Sequence, residues 1–329
     1  MHVPDYLDVV AAAERLSGKA VKTPLLRSAI LDEITGAQVF VKAECLQHSG
    51  SFKFRGAFNR LVQLSEAEMS CGVVAWSSGN HAQGVAYVSK MLGVNATIVM
   101  PRDAPSIKIE NTRRLGANII FYDRASESRE EIAHRISVEH GSTLVPSYDD
   151  ANVIAGQGTV GLEIVQQLEV MNVELDLLLV CCGGGGLIAG TALAFKELSP
   201  GTKIFAVEPD GYDDHSRSLE AGRRLKNSGK ARTLCDALLA PEPGAITWQI
   251  NSQLLTRGLV VQDEEVLKAM RFALTELKIV AEPGGAVALA ALLAGKAPAR
   301  GKNIGVVISG GNVDDLVLEA ALRTKTASE

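Results

Sequence analysis

What most constrains this chain is an alternation: short β-rich apolar runs trade places with helical patterns along almost all of its 329 residues. Such alternation builds βαβ units, because a strand reaches a parallel partner only through a long crossover, usually a helix. Residues 73–76, VVAW, read as a strand; SSGNH follows, then a helix through HAQGVAYVSKML. The strand ATIVMP, a helix over IKIENTRRLG, the strand NIIFY and a Glu/Arg-rich helix over ESREEIAHRI complete a lobe within residues 73–146. A second run starts near Gly156, with a helix over GQGTVGLEIVQQL and a buried strand, DLLLVCC. GGGGLIAGTALAFKEL then reads as loop and helix, KIFAVEP as a strand, and NIGVVISGG as a buried strand opening into a glycine-rich turn. Residues 222–232 (GRRLKNSGKAR) read as a solvated excursion.

Composition narrows the function. Apolar residues make up 47% of the chain, enough for two cores, and 31 glycines against 5% aromatics suit tight strand–turn–helix units. A formal charge of −5 argues against nucleic acid as a partner. No stretch is apolar enough to span a bilayer, and MHVPDYLDVV lacks the order of a signal peptide, so the expected address is the cytoplasm. Cys45, Cys71, Cys181, Cys182 and Cys235 form no CxxC pair and sit at no metal-ligand spacing with His; reduced, buried thiols are expected.

Four glycine- or serine-rich segments stand where a strand or loop turns into a helix, the place where open α/β sheets bind ligands. The first, SGSFKFRG, puts Lys53 between Phe52 and Phe54 at the head of an apolar-striped helix. It reads either as a snorkelling lysine or as a desolvated amine fit to act as nucleophile and base. The second, Ser77-Ser78-Gly79-Asn80-His81, offers free amides and hydroxyls to a carboxylate or phosphate; Ser78 or Asn80 could equally be a simple N-cap. In the third, Gly183-Gly184-Gly185-Gly186-Leu187, four missing Cβ atoms let backbone amides close around a phosphate. It also supplies a rival: Gly184, Gly186 and Ala189 fit G-x-G-x-x-A, with Glu208 as a ribose-binding acid, which would make a nicotinamide-dependent oxidoreductase. The fourth, Ser309-Gly310-Gly311-Asn312, ends a strand with Ser309 facing the crevice or capping a turn before Val313.

Taken in order, SGSFKFRGA, SSGNHAQGVA, CGGGGLIAG and SGGNVD resemble the fold-type II pyridoxal-phosphate enzymes, specifically the serine/threonine dehydratase (ammonia-lyase) and serine racemase branch. The resemblance runs from VKTPLLRS to the last strand. It implies a tryptophan synthase β-like α/β fold of two open twisted sheets flanked by helices. Pyridoxal 5'-phosphate (PLP) would be an imine on Lys53, with Phe52 packed on its ring and Asn80 bonded to the ring hydroxyl. Gly183, Gly184, Gly185, Gly186 and Leu187 would hold its phosphate, and Ser309 would face its pyridine nitrogen. Ser77, Ser78, Gly79, Asn80 and His81 would receive the substrate carboxylate. A neutral serine at the ring nitrogen favours prompt β-elimination over a long-lived carbanion.

The same resemblance implies a cytoplasmic homodimer that dehydrates and deaminates a hydroxyamino acid, L-threonine or L-serine in the first place. The alternatives are 3-hydroxyaspartate dehydration, serine racemisation and a non-catalytic cofactor-binding module. Glu208, the carbonyl of Tyr212 and Asp214 match a divalent-cation loop suited to Mg²⁺ or Ca²⁺, or else form an acidic surface loop. Ser78 matches the racemases' second acid/base. Arg129 matches a residue that can meet a second substrate carboxylate, or it is a helix-surface partner of Glu130 or Glu131. Asp236-Ala237 departs from an Asp-Gly of many relatives, with a methyl expected near the substrate pocket. Residues 47–146 are expected to form a small mobile domain, and residues 1–46 with 147–329 the large cofactor-binding one.

Overall fold

The computed structural model describes residues 2–104, 106–123 and 125–324. Its strands are β1 (Leu25–Leu26), β2 (Gln38–Ala43), β3 (Val73–Trp76), β4 (Ala96–Pro101), β5 (Asn118–Tyr122), β6 (Thr143–Leu144), β7 (Leu177–Cys181), β8 (Lys203–Pro209), β9 (Arg257–Val261) and β10 (Asn303–Ile308). They form two sheets, ordered β1-β2-β10-β7-β8-β9 and β5-β4-β3-β6. Every pairing is parallel except β1 with β2. The architecture is α/β, two sheets flanked by helices, as expected. In the larger sheet β7 is buried at every residue, and its neighbour β10 is buried from Ile304 onward. Helices cover both faces there, so LLLVC and NIGVVI read as apolar runs rather than alternations.

Parallel strands all point one way, so the loops at their carboxyl ends gather on one side of each sheet. The serine-rich loop follows β3, the four glycines follow β7, and Ser309 follows β10. Lys53 opens the helix Lys53–Leu61, held to the end of β10 by an antiparallel bridge of Ser51 with Gly310 and by the Phe52 amide donating to the Ser309 carbonyl at 3.0 Å.

The helix expected near Gly156 instead starts at Ala151, capped by Asp150, whose carboxylate accepts the Val153 amide at 2.9 Å. The missed first turn, ANVIA, holds no glycine; the helix's glycines come after it, at Gly156, Gly158 and Gly161. They serve close packing. A Cβ on Gly156 would meet the Cα of Gly56 at 2.7 Å, and one on Gly158 would meet the Gly190 carbonyl at 2.7 Å. A Cβ on Gly190 would lie 2.2 Å from the Ile154 carbonyl. The helices Lys53–Leu61, Ala151–Glu169 and Gly186–Leu198 therefore pack backbone on backbone, fixing Lys53 relative to the glycine loop. We expect Gly190→Ala to destabilise the protein by about 1–3 kcal/mol or more through overpacking. A thermal melt followed by circular dichroism checks this; an unchanged midpoint would show that the helices separate without strain.

One buried polar network anchors the Lys53 helix from below. Arg55 donates to both oxygens of Glu44 at 2.8 Å and to both oxygens of Glu163, at 2.7 and 2.9 Å. Lys42 donates to Glu163 at 2.7 Å and to the Thr23 carbonyl at 2.9 Å. No helix among the described residues is long and apolar enough to cross a membrane. All five cysteines are free; Cys71 is exposed, which corrects the expectation of five buried thiols, because it closes a short surface helix, Glu66–Cys71.

Candidate active site

The Lys53 amine points into the cleft between the two sheets, where it donates to the Ser147 carbonyl at 2.5 Å and stands 5.2 Å from the centre of the Phe52 ring. Burial lowers its pKa to about 8, against the opposing pull of Cys181 and Glu282. A large part of such an amine is neutral near pH 8, as a nucleophile or base requires. The desolvated reading of the lysine holds over the snorkelling one.

The serine-rich loop leads into the helix Asn80–Leu92, whose N-cap is Gly79 with no capping side chain. Capping by Ser78 or Asn80 is therefore not what these residues do. The amides of Ser78, Asn80, His81 and Ala82 find no acceptor among the described residues, while the Ser77 hydroxyl accepts the Gly79 amide at 3.1 Å. His81 is buried, with Nε2 2.8 Å from the Val145 carbonyl. Burial, and then the Lys53 charge, push its pKa down to about 3, so it is a neutral prop of the loop rather than a proton donor.

The four glycines work on two faces. On the protein face, a Cβ would lie 3.2 Å from Leu238 at Gly183, 2.3 Å from the Tyr148 ring at Gly184, 2.6 Å from Asn251 and His215 at Gly185, and 3.0 Å from Tyr148 at Gly186. Close packing thus accounts for all four, more than the sequence reading allowed it. Gly185 also has φ +94°. On the other face, the amides from Gly183 to Ile188, Leu187 included, find no acceptor among the described residues at the mouth of the helix Gly186–Leu198. Bare amides and a helix N-terminus together suit an anion.

Ser309, 4% exposed, caps no helix: the last helix, Asp315–Leu322, takes Asp314 as its N-cap. Ser309 lies near Cys181, a thiol that burial pushes up to about 11. Three residues overlooked in the sequence also belong here. The buried Glu282 accepts from the Asn80 amide group, Asn312 donates to the Asn80 carbonyl oxygen at 2.7 Å, and Cys181 lines the floor beside Lys53. Asn312 lay inside a motif already quoted; Glu282 stands in AEPGG, distant in sequence, with no signal of its own.

Glu208 and Asp214 are both fully buried, so the acidic surface loop is excluded as a description of these two. Glu208 accepts the amides of His215 at 2.9 Å and Ser216 at 2.7 Å, capping the helix Asp214–Ala221. A ribose-binding acid would be free to face the glycine loop's open side; this carboxylate is spent on a helix end. Asp214 Oδ2 has no partner, and the His215 Nδ1 atom 3.6 Å away also lacks one. Burial and the Asp214 charge raise Glu208 well above the usual carboxylate range, so this pair calls for a proton or a cation. Tyr212 lies half-buried between them in the chain, its amide donating to the Pro209 carbonyl at 3.1 Å. Cys182, Glu208 and His215 bring ligand atoms within 4.8 Å of one another, a softer donor set than oxygen alone.

Arg129 opens the helix Arg129–His140 and pairs with Glu130 at 2.8 Å, while sensing the phenols of Tyr122 and Tyr148. Tyr148 is the residue packed on Gly184. The methyl of Ala237 faces Gly284, where an added Cβ would lie 3.1 Å away. Ala237 itself is exposed, beside Asp236, which pairs with Lys108.

Comparison with known proteins agrees with this geometry. Residues 16–310 match the family model described as pyridoxal-phosphate dependent enzyme. The chain is 46% identical over 314 residues to the L-threo-3-hydroxyaspartate ammonia-lyase of Pseudomonas sp, covering 95% of this chain and 97% of that one. It is 41% identical over 307 residues to the L-threonine ammonia-lyase of Thermotoga maritima, covering 93% and 75%. The maize serine racemase structure superposes with a TM-score of 0.91 at 38% identity, covering 98% of this chain and 97% of that one.

Proposed function

This chain belongs to the pyridoxal-phosphate dependent enzymes, and from that premise we propose that it is an ammonia-lyase eliminating water from a hydroxyamino acid, 3-hydroxyaspartate before threonine or serine. The carrying observation is the Lys53 amine, which donates to the Ser147 carbonyl, is desolvated enough to lower its pKa to about 8, and stands on a segment bridged to the end of β10. The residues present fit the cofactor. Lys53 would supply the amine for its aldehyde and the bare amides from Gly183 to Leu187 would take its phosphate; Phe52 would pack on its ring, Asn80 would meet the ring hydroxyl and Ser309 the pyridine nitrogen. When bound, pyridoxal phosphate supplies an electron sink that acidifies the α-carbon of an amino acid joined to it.

The chain's own groups do the rest. The free amides of Ser78, Asn80 and His81, with Ser77 and Gly79, receive the α-carboxylate and orient the substrate. Lys53, neutral in part because it is desolvated, takes the α-proton on Nζ. Ser309 carries no charge and does not hold a proton on the ring nitrogen, which favours loss of the β-hydroxyl. The α-proton and the β-hydroxyl are lost together as water, and the released enamine takes up water to give a 2-oxo acid and ammonia. Ser78 offers a hydroxyl where a second acid/base would stand, so some racemisation accompanies elimination.

Arg129 favours a substrate with a second carboxylate, and the similarity to the Pseudomonas enzyme supports the same choice. Its pairing with Glu130 partly neutralises it and keeps L-threonine and L-serine as the second reading. Purified protein should be assayed with serine, threonine and the hydroxyaspartate isomers, measuring oxo acid, ammonia and residual chirality. We expect a hydroxyaspartate to be consumed at least about tenfold more efficiently than serine, as one charge-assisted contact provides. Better turnover of threonine or serine establishes the second reading, and no oxo acid from any substrate ends the lyase proposal. Arg129→Leu should lower kcat/KM for hydroxyaspartate by about ten- to a hundredfold and for serine by less than about threefold.

We further propose that Glu208, Asp214 and the Tyr212 carbonyl hold a divalent cation, Mg²⁺ or Ca²⁺, behind the glycine loop. The unpartnered Asp214 oxygen supports this. A chelator should lower the melting temperature, and the cation should restore it. Residues 47–146 are proposed to move as a lobe closing over substrate, and the protein to work as a homodimer. The exposed Ile30 and Ile34, one helical turn apart, are consistent with a covered face.

A further inference from the structure

Asn80 is held at both ends of its carboxamide by residues from the other side of the cleft. Its Nδ2 donates to Glu282 Oε1, and its Oδ1 accepts from Asn312 Nδ2 at 2.7 Å. Asn312 is itself fixed, because Nδ2 also donates to the Ser49 carbonyl at 2.8 Å. Both hydrogens of Asn312 Nδ2 are thus committed, and only a carbonyl oxygen can face it. That sets which way Asn80 points: one Nδ2 hydrogen goes to Glu282 and the second is left for a ligand. Glu282 has little freedom to turn away. It is 3% exposed, and its carboxylate sits where a Cβ on Gly310 would be, 2.1 Å from that position. Its backbone is tied too, the Glu282 amide donating to the Gly310 carbonyl at 3.0 Å.

We propose that Glu282 and Asn312 are positioning residues that lock the Asn80 carboxamide with a hydrogen of Nδ2 aimed at the ring hydroxyl of the cofactor. Neither touches the reacting atoms; both act through Asn80. The inference rests on the reading of Asn80 as the partner of that hydroxyl. Burial supports the choice of acid: it raises Glu282 to about 8, ahead of the repulsion from Asp236. A largely protonated carboxyl still presents an acceptor oxygen to Asn80 without placing a full negative charge beside it. Glutamine imitates that group closely, and alanine removes it.

The test uses the whole protein stripped of cofactor and titrated with pyridoxal phosphate. The readouts are the dissociation constant and the balance between the visible and near-ultraviolet bands of the bound cofactor. We expect Glu282→Ala and Asn312→Ala each to weaken binding by about tenfold, one hydrogen bond's worth, and to shift absorbance from the visible to the near-ultraviolet. Glu282→Gln should stay within about threefold of wild type with its spectrum intact. Asn80→Ala combined with Glu282→Ala should bind no more weakly than Asn80→Ala alone, because the two act in series. Additive losses in the double variant, a glutamine variant as impaired as alanine, or an alanine variant indistinguishable from wild type would each overturn the proposal. If Asn80→Ala alone changes nothing, the assignment of Asn80 has failed and this inference falls with it. If Asn80→Ala changes both readouts and Glu282→Ala neither, only the positioning role is lost. Should Glu282→Ala not fold, Asn312→Ala enters the same cycle with Asn80→Ala, and the same outcomes decide.

Discussion

Lys53→Ala should produce a colourless protein when mixed with pyridoxal phosphate, with turnover reduced at least about a thousandfold. In the proposed reading the amine joins the cofactor's aldehyde and also takes the α-proton, so alanine removes both functions at once. The fold should survive, since Lys53 opens its helix and makes one hydrogen bond, to the Ser147 carbonyl. A coloured, active variant would end the assignment. A second substitution at this position carries a stability prediction for the apoprotein. Unfolded, this lysine titrates near 10.5; folded, it is lowered to about 8 by burial. Below pH 8 the native state must hold a charge it would rather release, and that burden lifts as pH rises from 8 towards 10.5. Lys53→Met should therefore stabilise the apoprotein at neutral pH, by at most about 3 kcal/mol, and the advantage should vanish at high pH. Urea melts at pH 7 and pH 10 read this directly. An equal difference at both would show that the amine is not desolvated.

The site was legible in the sequence to the extent that its chemistry sits in contiguous segments. Lys53, the serine-rich loop, the glycine run and Ser309 each lie where a strand or loop meets a helix, and patterning alone locates those junctions. What escaped were partners supplied from far along the chain. Glu282 reaches Asn80 from 202 residues along the chain. Such contacts are set by how elements dock, which local periodicity does not encode. The buried strands β7, β8 and β10 were legible as apolar runs, whereas the two-residue strands β1 and β6 are too short to carry a period. The glycines misled in an instructive way. Close packing at Gly183 to Gly186 was undervalued, and the glycines of the helix Ala151–Glu169 are what brings Lys53 near the bare amides of that run.

Arg55 is where the Lys53 helix depends on the fold, and removing its guanidinium should be the most damaging single change to stability. Burial pushes Glu44 towards its neutral form, but the Arg55 charge and hydrogen bonds, helped by Lys42, hold its pKa below the usual carboxylate value. Arg55→Met keeps the apolar stem and leaves Glu44 fully buried with only Thr23 and Lys42 near, while Glu163 retains Lys42. Breaking a buried pair in this way costs about 3–5 kcal/mol. The sign of the pH dependence follows. In the native protein Glu44 contributes stability that is present above pH 4.5 and is lost as pH falls through its depressed folded value. In Arg55→Met the same carboxylate should be raised, so the variant is weakest at neutral pH and recovers relative to wild type on acidification. Arg55→Met with Glu44→Leu, which removes both charges, should regain a large part of the loss, since a pair of well-packed apolar groups can replace a buried ion pair. Denaturant melts at pH 7 and pH 5 on the two variants separate these effects. A loss below about 1 kcal/mol, or one that does not change with pH, would mean that water reaches Glu44 and that this network does not set the position of the Lys53 helix.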